Sequence, residues 1–485
     1  MKKILVLATI VFAIMQLGFS QQRSLYYLTN LRQVIYTNPA RMSNCGFSMS
    51  LPATPIDVSL FSNPLKYNNL FSKDDEGTYY IDFDKIASSL QNTAYIDAEA
   101  RASILGFGIR YRRWYFNYDY SLINQSFIYY PKSLFEFLSI GNSGQNNTVD
   151  LSELYVNQSL YFKSSLSAAY RLTRNLNIGL ALNHYRGLAS VNFNSFDFVA
   201  NVSQDQNYPL TITTGYNISF SGPVRFYYQG DSLVVNPVKF QKDSTHFYID
   251  SIKNALTASN TGWGIDLGVV YKPFKFLEIS ASLLDLGYIK WKYMVTNFIS
   301  PKKTVYFDGV DLLKAKNDSS YINRLADSIL QFTKPGLNHD LFKSSTYPKL
   351  NLGLALYPTQ WAVLGFNYRA VFLPTAVLKS YNFALALNFM NGWTLAGTYT
   401  IYPDSYNNFG FGLATKLGPV QLYVLADNMS LANFGVSFFT NRNTPPEQNS
   451  ATLWVKDSNL ASLMFGINFN FGCFDRTDYG LLDHE

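Results

Sequence analysis

Charge is in short supply. Lys, Arg, Asp and Glu make up only 15% of the 485 residues, against about a quarter in ordinary soluble globular chains. No five like charges run together, so a nucleic-acid partner is not expected. Histidine is scarcer: His184, His246, His339 and His484 are the whole complement. No two share a spacing that would let one strand or helix present paired ligands to a metal. Neither a G-x-S-x-G elbow nor a phosphate-cradling loop occurs. The expectation is a chain that is not an enzyme, with no catalytic residue, cofactor or metal.

Long apolar runs are missing as well. The one near-continuous stretch, Ile4 to Met15, is shorter than the roughly 20 residues that a membrane helix needs. Lys2 and Lys3 precede it, and Gly18 and Ser20 follow at small-x-small spacing. Residues 1–20 therefore read as a secretory signal peptide cut after Ser20, with an uncleaved anchor as the other reading. Gln21 follows the cut, where a lipid anchor would require cysteine. An exported chain without a membrane helix is either soluble or a β-barrel.

What is abundant is aromatic. Phe, Trp and Tyr reach 16%, with 36 Tyr and 38 Phe, yet mean hydropathy is only −0.04. "RRWYFNYDYS" (112–121) shows how both hold together. Trp114, Phe116, Tyr118 and Tyr120 share one parity; Arg113, Tyr115, Asn117 and Asp119 share the other. Side chains on a strand alternate between faces, so this strand is greasy on one side and polar on the other. "ILGFGIRY", "LNIGLALN", "WGIDLGVVY", "KLNLGLALY", "NFALALNF" and "SLMFGINFNF" repeat the pattern. In "LYFKSSLSAAYRL", Ala169 is the one break in it. The glycines of "GFG" (106–108, 410–412) and "GWG" (262–264) sit inside such strands, where they leave room on the inner face.

Connections alternate strictly between short and long. Tight turns fall at 112–113, 173–174, 272–274, 358–360, 391–392 and 418–419. Long excursions fall at 125–156, 190–261, 288–345, 372–379, 402–408 and 427–459. Short periplasmic turns and long outer loops are the habit of outer-membrane barrels; a soluble β-sandwich has no reason to keep that parity. The fold class expected is all-β: an antiparallel transmembrane barrel of about 14 strands, or 16 if 205–230 adds a hairpin. The first strand would be 45–51 and the last 460–471. Trp114 would lie near the periplasmic aromatic girdle, while Asn117, Asp119, Tyr115 and Tyr161 face the lumen. Residues 21–44 form an irregular, hatch-like segment, 45–474 the barrel and 475–485 a short periplasmic tail. The wider stretch 22–70, with Pro39, Pro52, Pro55 and Pro64, has the irregular composition of a piece lying in the lumen. Helical spacing marks 82–91, 131–141 and 320–332 as short helices within the loops. His184 could pair with a luminal Ser or Asp as in a barrel hydrolase; a pore-lining or loop histidine is the plainer reading.

"YTNPAR" with Asn38, Pro39 and Ala40, "LFEFLSIGN" before a polar loop, and "LLDLGYIKW" with Asp285, Leu286, Gly287, Ile289 and Trp291 resemble a Bacteroidota outer-membrane barrel family catalogued as a domain of unknown function. That family is similar in outline to the PorV and FadL group. The resemblance runs from about Tyr36 to Phe474 and implies a 14-stranded barrel in the outer membrane of a Gram-negative bacterium. It implies no reaction. FadL-like barrels also carry a hatch and a side opening at a kinked strand, and no residue here identifies such a kink.

Cys45 and Cys473 are the two cysteines. Closure would make the first and last strands neighbours, with both residues at the periplasmic end. Either a disulfide staples the seam, or two separate thiols are buried there. Two functions follow: passive transport or binding of hydrophobic small molecules, or a structural and assembly barrel partnering a secretion or surface-attachment complex. Outer-membrane lipid is a partner in both, and a hydrophobic ligand in the lumen only in the first.

Overall fold

The computed structural model describes residues 24–63, 71–73, 79–90, 93–140, 148–202, 210–230, 232–237, 260–307, 334–374, 376–389, 392–402, 405–429 and 460–473. Alternation of apolar and small or polar residues gives strands with two unlike faces, and the sheet buries the polar one by closing on itself. The result is a closed antiparallel barrel of 14 strands. In chain order they begin with β1 (Cys45–Ser50 and Ile56–Asn63), β2 (Thr93–Tyr111), β3 (Trp114–Pro131), β4 (Tyr155–Thr173) and β5 (Leu176–Val202). Next come β6 (Thr261–Phe274), β7 (Leu277–Trp291), β8 (Phe342–Ser345 and Lys349–Leu356) and β9 (Ala362–Phe372). The circuit ends with β10 (Val377–Phe389), β11 (Trp393–Tyr402), β12 (Ser405–Leu417), β13 (Val420–Met429) and β14 (Leu460–Cys473). β14 pairs with β1, from Cys45 opposite Cys473 to Phe61 opposite Leu460, so no edge is left open in lipid.

Parity decides which residues meet lipid. On β3, Trp114 and Phe116 are exposed, whereas Tyr115, Asn117 and Asp119 are buried in the lumen. On β10, Tyr381, Phe383 and Leu385 point out while Asn382, Ala384 and Ala386 point in. Tyr111, Trp114, Tyr271, Phe274, Phe276, Trp361 and Trp393 are exposed at the short-turn end, where an aromatic girdle belongs.

Three expectations need correcting. Residues 52–63 are not luminal. β1 breaks at Leu51 and resumes at Ile56, so Pro52 and Pro55 lie in a wall interruption, and of the described residues in 22–70 it is 24–44 that enter the lumen. Across that gap the wall is joined by the Leu51 N–H to the Ile467 carbonyl (2.9 Å) and the Ser103 N–H to the Pro55 carbonyl (3.0 Å). Pro64 lies outside the described residues. Second, the two largest loops are shorter than expected because their strands run on. β5 has 27 residues, more than twice the 9–11 that a crossing needs. Its outer half pairs with Leu210–Ser221, which pairs with Val295–Phe307, extending the wall beyond the membrane. This is the segment that could have made 16 strands, and it does not cross. The Asn260 side chain manages the junction, accepting from the Lys292 and Tyr293 N–H groups at 2.7 and 2.9 Å. Third, His184 points outward beside Trp263, with ring centroids 4.7 Å apart, and not toward a luminal Ser or Asp.

Two of the three loop helices are present, α1 (Phe83–Ser89) and α2 (Ser133–Ile140); 320–332 lies outside the described residues, as do 1–20 and 475–485. Asp82 caps α1 by accepting from the Lys85 N–H at 2.9 Å, which with the Ser72 hydroxyl holds its carboxyl below the usual range. Ile86 and Leu90 pack with Tyr130, closing α1 onto the barrel rim.

Candidate functional site

The lumen is occupied by the chain's own N-terminal segment, and its sequence explains how. In "SLYYLTNLRQVIYTNPAR", Leu25, Leu28, Leu31, Val34 and Ile35 repeat at helical spacing through two short 3-10 turns, Ser24–Tyr27 and Arg32–Tyr36. The apolar side of this plug packs against inward alanines of the wall, among them Ala384, Ala386, Ala396 and Ala414. Small wall residues make the space that plug residues fill. At Gly353 even a methyl group would come within 2.4 Å of the Tyr26 hydroxyl, and at Gly365 within 2.1 Å of the Tyr27 ring.

Polar anchors tie the plug to strands all around the barrel. The Arg32 guanidinium donates to Asn117 Oδ1 (2.6 Å) and Ser50 Oγ (2.8 Å) and pairs with Asp119 at 3.4 Å. Asp119 also accepts from Tyr36 (2.5 Å), Ser103 (2.9 Å) and Ser121. Gln33 and Asn468 exchange reciprocal amide hydrogen bonds at 2.7 and 2.9 Å. Ser24 donates its N–H and hydroxyl to Asp427, each at 3.0 Å.

The motif residues Asn38, Pro39 and Ala40 form the last anchor. The Asn38 amide donates to the Val269 and Ala281 carbonyls at 3.2 and 3.1 Å, while its oxygen accepts from the Ala40 N–H at 2.9 Å. Asn38 and Pro39 lie against Gly268, and Pro39 against Gly179. Arg41 then pairs with buried Glu278 at 2.9 Å.

The second motif organises the layer above the plug. Opposite Asp266, β7 carries one residue too many, because Leu267 pairs with Leu283 and Ile265 with Leu286. The bulge turns both Leu284 and Asp285 inward and places Asp285 at φ 55°, a region Asp tolerates. Asp285 pairs with Lys163 (2.7 Å) and Lys349 (3.1 Å), and Lys349 with Glu99 (2.6 Å). Past the bulge the parity is reversed, so Leu286 faces out while Gly287, Ile289 and Trp291 face in. Tyr185 fills the space over Gly287. Trp291 is fully buried against Gly187 and donates to Ser344 Oγ at 2.8 Å. Between plug and ion pairs a polar cavity of about 30 Å3 is lined by Tyr36, Arg101, Asp119, Lys163 and Asp285, room for a water or two.

Above the ion pairs the lumen turns aromatic. Phe61, Phe127, Tyr129, Tyr347 and Tyr402 form one buried cluster with Val371, Leu373 and Leu378, flanked by Tyr95 and Tyr155. Phe61 stacks on Tyr402 at 4.8 Å, and Tyr95, Tyr155 and Tyr347 each approach Phe127 to within 6.2 Å. Among the described residues no group of three or more His, Cys, Asp or Glu side chains could hold a metal ion. Away from the lumen, Cys45 and Cys473 stand opposite each other where β1 pairs with β14, their sulfurs within bonding distance across the seam. Sequence reasoning placed Asp119 and Tyr115 in the lumen but did not identify Arg32, Gln33, Arg41 or Glu278. The available signal was a cation inside an otherwise apolar helical stripe, and inward-parity charges on β4 and β7.

Solved structures of similar architecture include the toluene transporter TbuX of Ralstonia pickettii, at 11% identity over 90% of this chain and 93% of that one, TM-score 0.42. The toluene transporter TodX of Pseudomonas putida is 10% identical over 91% and 94%, TM-score 0.39. A FadL homologue of Pseudomonas aeruginosa is 10% identical over 94% and 97%, TM-score 0.41. No curated protein matches the sequence significantly. A family model matches residues 39–427, from the plug's Pro39 through the bulge motif to Asp427 on β13. The chain belongs to the family of unknown function DUF5723.

Proposed function

We propose that this protein is an outer-membrane barrel that binds hydrophobic small molecules and passes them inward, with the described arrangement as its closed state. The observation that carries this reading is the aromatic layer. Lumens of water-filled barrels are polar, whereas here seven rings lie across the outer part of the lumen. Such a layer excludes hydrated solutes and receives apolar ones, which replace ring–ring contacts with ring–ligand contacts at little cost. Below it, the ion-pair layer and the plug bar the way until the plug shifts.

The test is equilibrium binding of naphthalene and oleate to purified protein, followed by loss of ring packing in a Phe127→Ala variant. Micromolar binding to the wild type, weakened about tenfold in the variant, is expected. No binding of either probe, or binding indifferent to Phe127, removes the reading.

The second reading, a barrel that serves a secretion or surface-attachment complex, is favoured by one feature: the wall extension built from β5, Leu210–Ser221 and Val295–Phe307. Crosslinking in native membranes tests it, and recovery of the barrel alone ends it.

A further inference from the structure

The outer wall from β5 to β8 carries an arrangement that neither plug nor lumen uses. Strand register sets Arg186 opposite Thr261, Thr261 opposite Lys290, and Lys290 opposite Lys343, a row across four strands. Their neighbours Tyr185, Ile289 and Trp291 are buried inward, so the three cations point out. Two residues nearer the membrane centre, the row is His184, Trp263, Tyr288 and Ser345. Two residues further, Leu182, Ile265 and Leu286 stand side by side, all exposed. Apolar, then ring, then cation is the order in which a lipid presents acyl chain, interface and headgroup phosphate. The height agrees: eight residues of β6 separate Tyr271 in the short-turn girdle from Trp263, about 20 Å along the membrane normal for a tilted strand.

A second observation points to an anionic ligand. Like charges directly opposite on adjacent strands repel, yet Lys290 and Lys343 occupy such a pair. Their ammonium groups converge on one ring, Tyr288, at 5.6 and 5.9 Å from its centroid. None of the ion pairs among the described residues includes either lysine.

We propose that this face binds the phosphate groups of a phosphorylated glycolipid in the outer leaflet, with its acyl chains against Leu182, Ile265 and Leu286. The inference rests on the barrel spanning a membrane with its long loops outward, and not on ligand uptake through the lumen. A free phosphate ion would account for the cations alone; the rings and apolar row directly beneath them call for a lipid.

The experiment is native mass spectrometry of the full chain in nanodiscs containing bisphosphorylated lipid A or its dephosphorylated counterpart, with inorganic phosphate as competitor. Wild type is expected to retain the phosphorylated form about tenfold more tightly than the dephosphorylated form. Lys290→Gln/Lys343→Gln should lose about tenfold to thirtyfold, the effect of removing two cations near an anionic headgroup, while Lys290→Arg/Lys343→Arg keeps the affinity. Equal retention of both lipids by the wild type overturns the proposal, as does undiminished binding by the glutamine variant. Displacement by millimolar inorganic phosphate overturns the lipid assignment. Heat-modifiable migration checks that each variant is a closed barrel, and the comparison of the two lipids on wild type decides the matter if the glutamine variant does not fold.

Discussion

Replacing Arg32 with alanine should unseat the plug. The side chain is fully buried, and its guanidinium bridges β1 through Ser50 and β3 through Asn117 and Asp119. Removing one partner of a buried ion pair costs about 3–5 kcal/mol, because the other charge stays behind unpaired. Asp119 would keep three hydroxyl donors, from Tyr36, Ser103 and Ser121, which puts the cost at the lower end, about 3 kcal/mol. At 1.36 kcal/mol per tenfold, the ratio of seated to unseated plug falls by roughly 150-fold. Hydrogen exchange of amides 24–44 in the folded barrel reads that ratio directly. An Arg32→Met/Asp119→Leu double variant, which leaves no buried charge unpaired, should recover part of the loss. If Arg32→Ala left exchange across 24–44 unchanged, the ion pair would not be what holds the plug, and the reasoning would fail.

Three further outcomes follow from the packing. We propose that the bond between Cys45 and Cys473 forms in the exported protein; non-reduced peptide mapping should recover the linked pair, and free thiols at both positions would end the idea. With a sequence separation of 428 between the cysteines, the chain-entropy model allows at most about 6 kcal/mol, so Cys45→Ser should lower the melting temperature in detergent. Trp291→Ala empties the socket over Gly187 and orphans Ser344, with an expected loss of about 3–5 kcal/mol in denaturant titration; a loss under 1 kcal/mol would mean that the motif's tryptophan is not structural. Gly353→Val drives a side chain into Tyr26 and should break its 2.7 Å hydrogen bond to Ser280, raising exchange at 24–31 at a cost of about 1–3 kcal/mol. Gly397→Ala, with open space at that position, is the silent control.

Much of the wall was legible because alternation is local. One parity of β3 holds Trp114 and Phe116 and the other Asn117 and Asp119, and no distant contact is needed to read which face is greasy. The bulge was not legible. It reverses parity inside "LLDLGYIKW", so Asp285 lies inward only because β6 offers a single residue, Asp266, opposite two on β7. The β1 interruption was likewise hidden: Pro52 and Pro55 look the same in a plug as in a wall break, and only pairing with Ile467 and Ser103 distinguishes them. His184 shares the outward parity of Leu180 and Leu182, so the alternation itself already set it outside, where it meets Trp263 of the next strand.

Composition and period by themselves determined that this chain closes into a barrel with an apolar exterior, since that is the arrangement that satisfies every backbone group in lipid with strands of two unlike faces. The tertiary structure decided what fills the barrel. Arg32 meets Asp119, Asn38 meets Val269 and Ala281, and Lys349 meets Glu99 across separations of tens to hundreds of residues. Such pairings depend on register and closure, which no local pattern encodes.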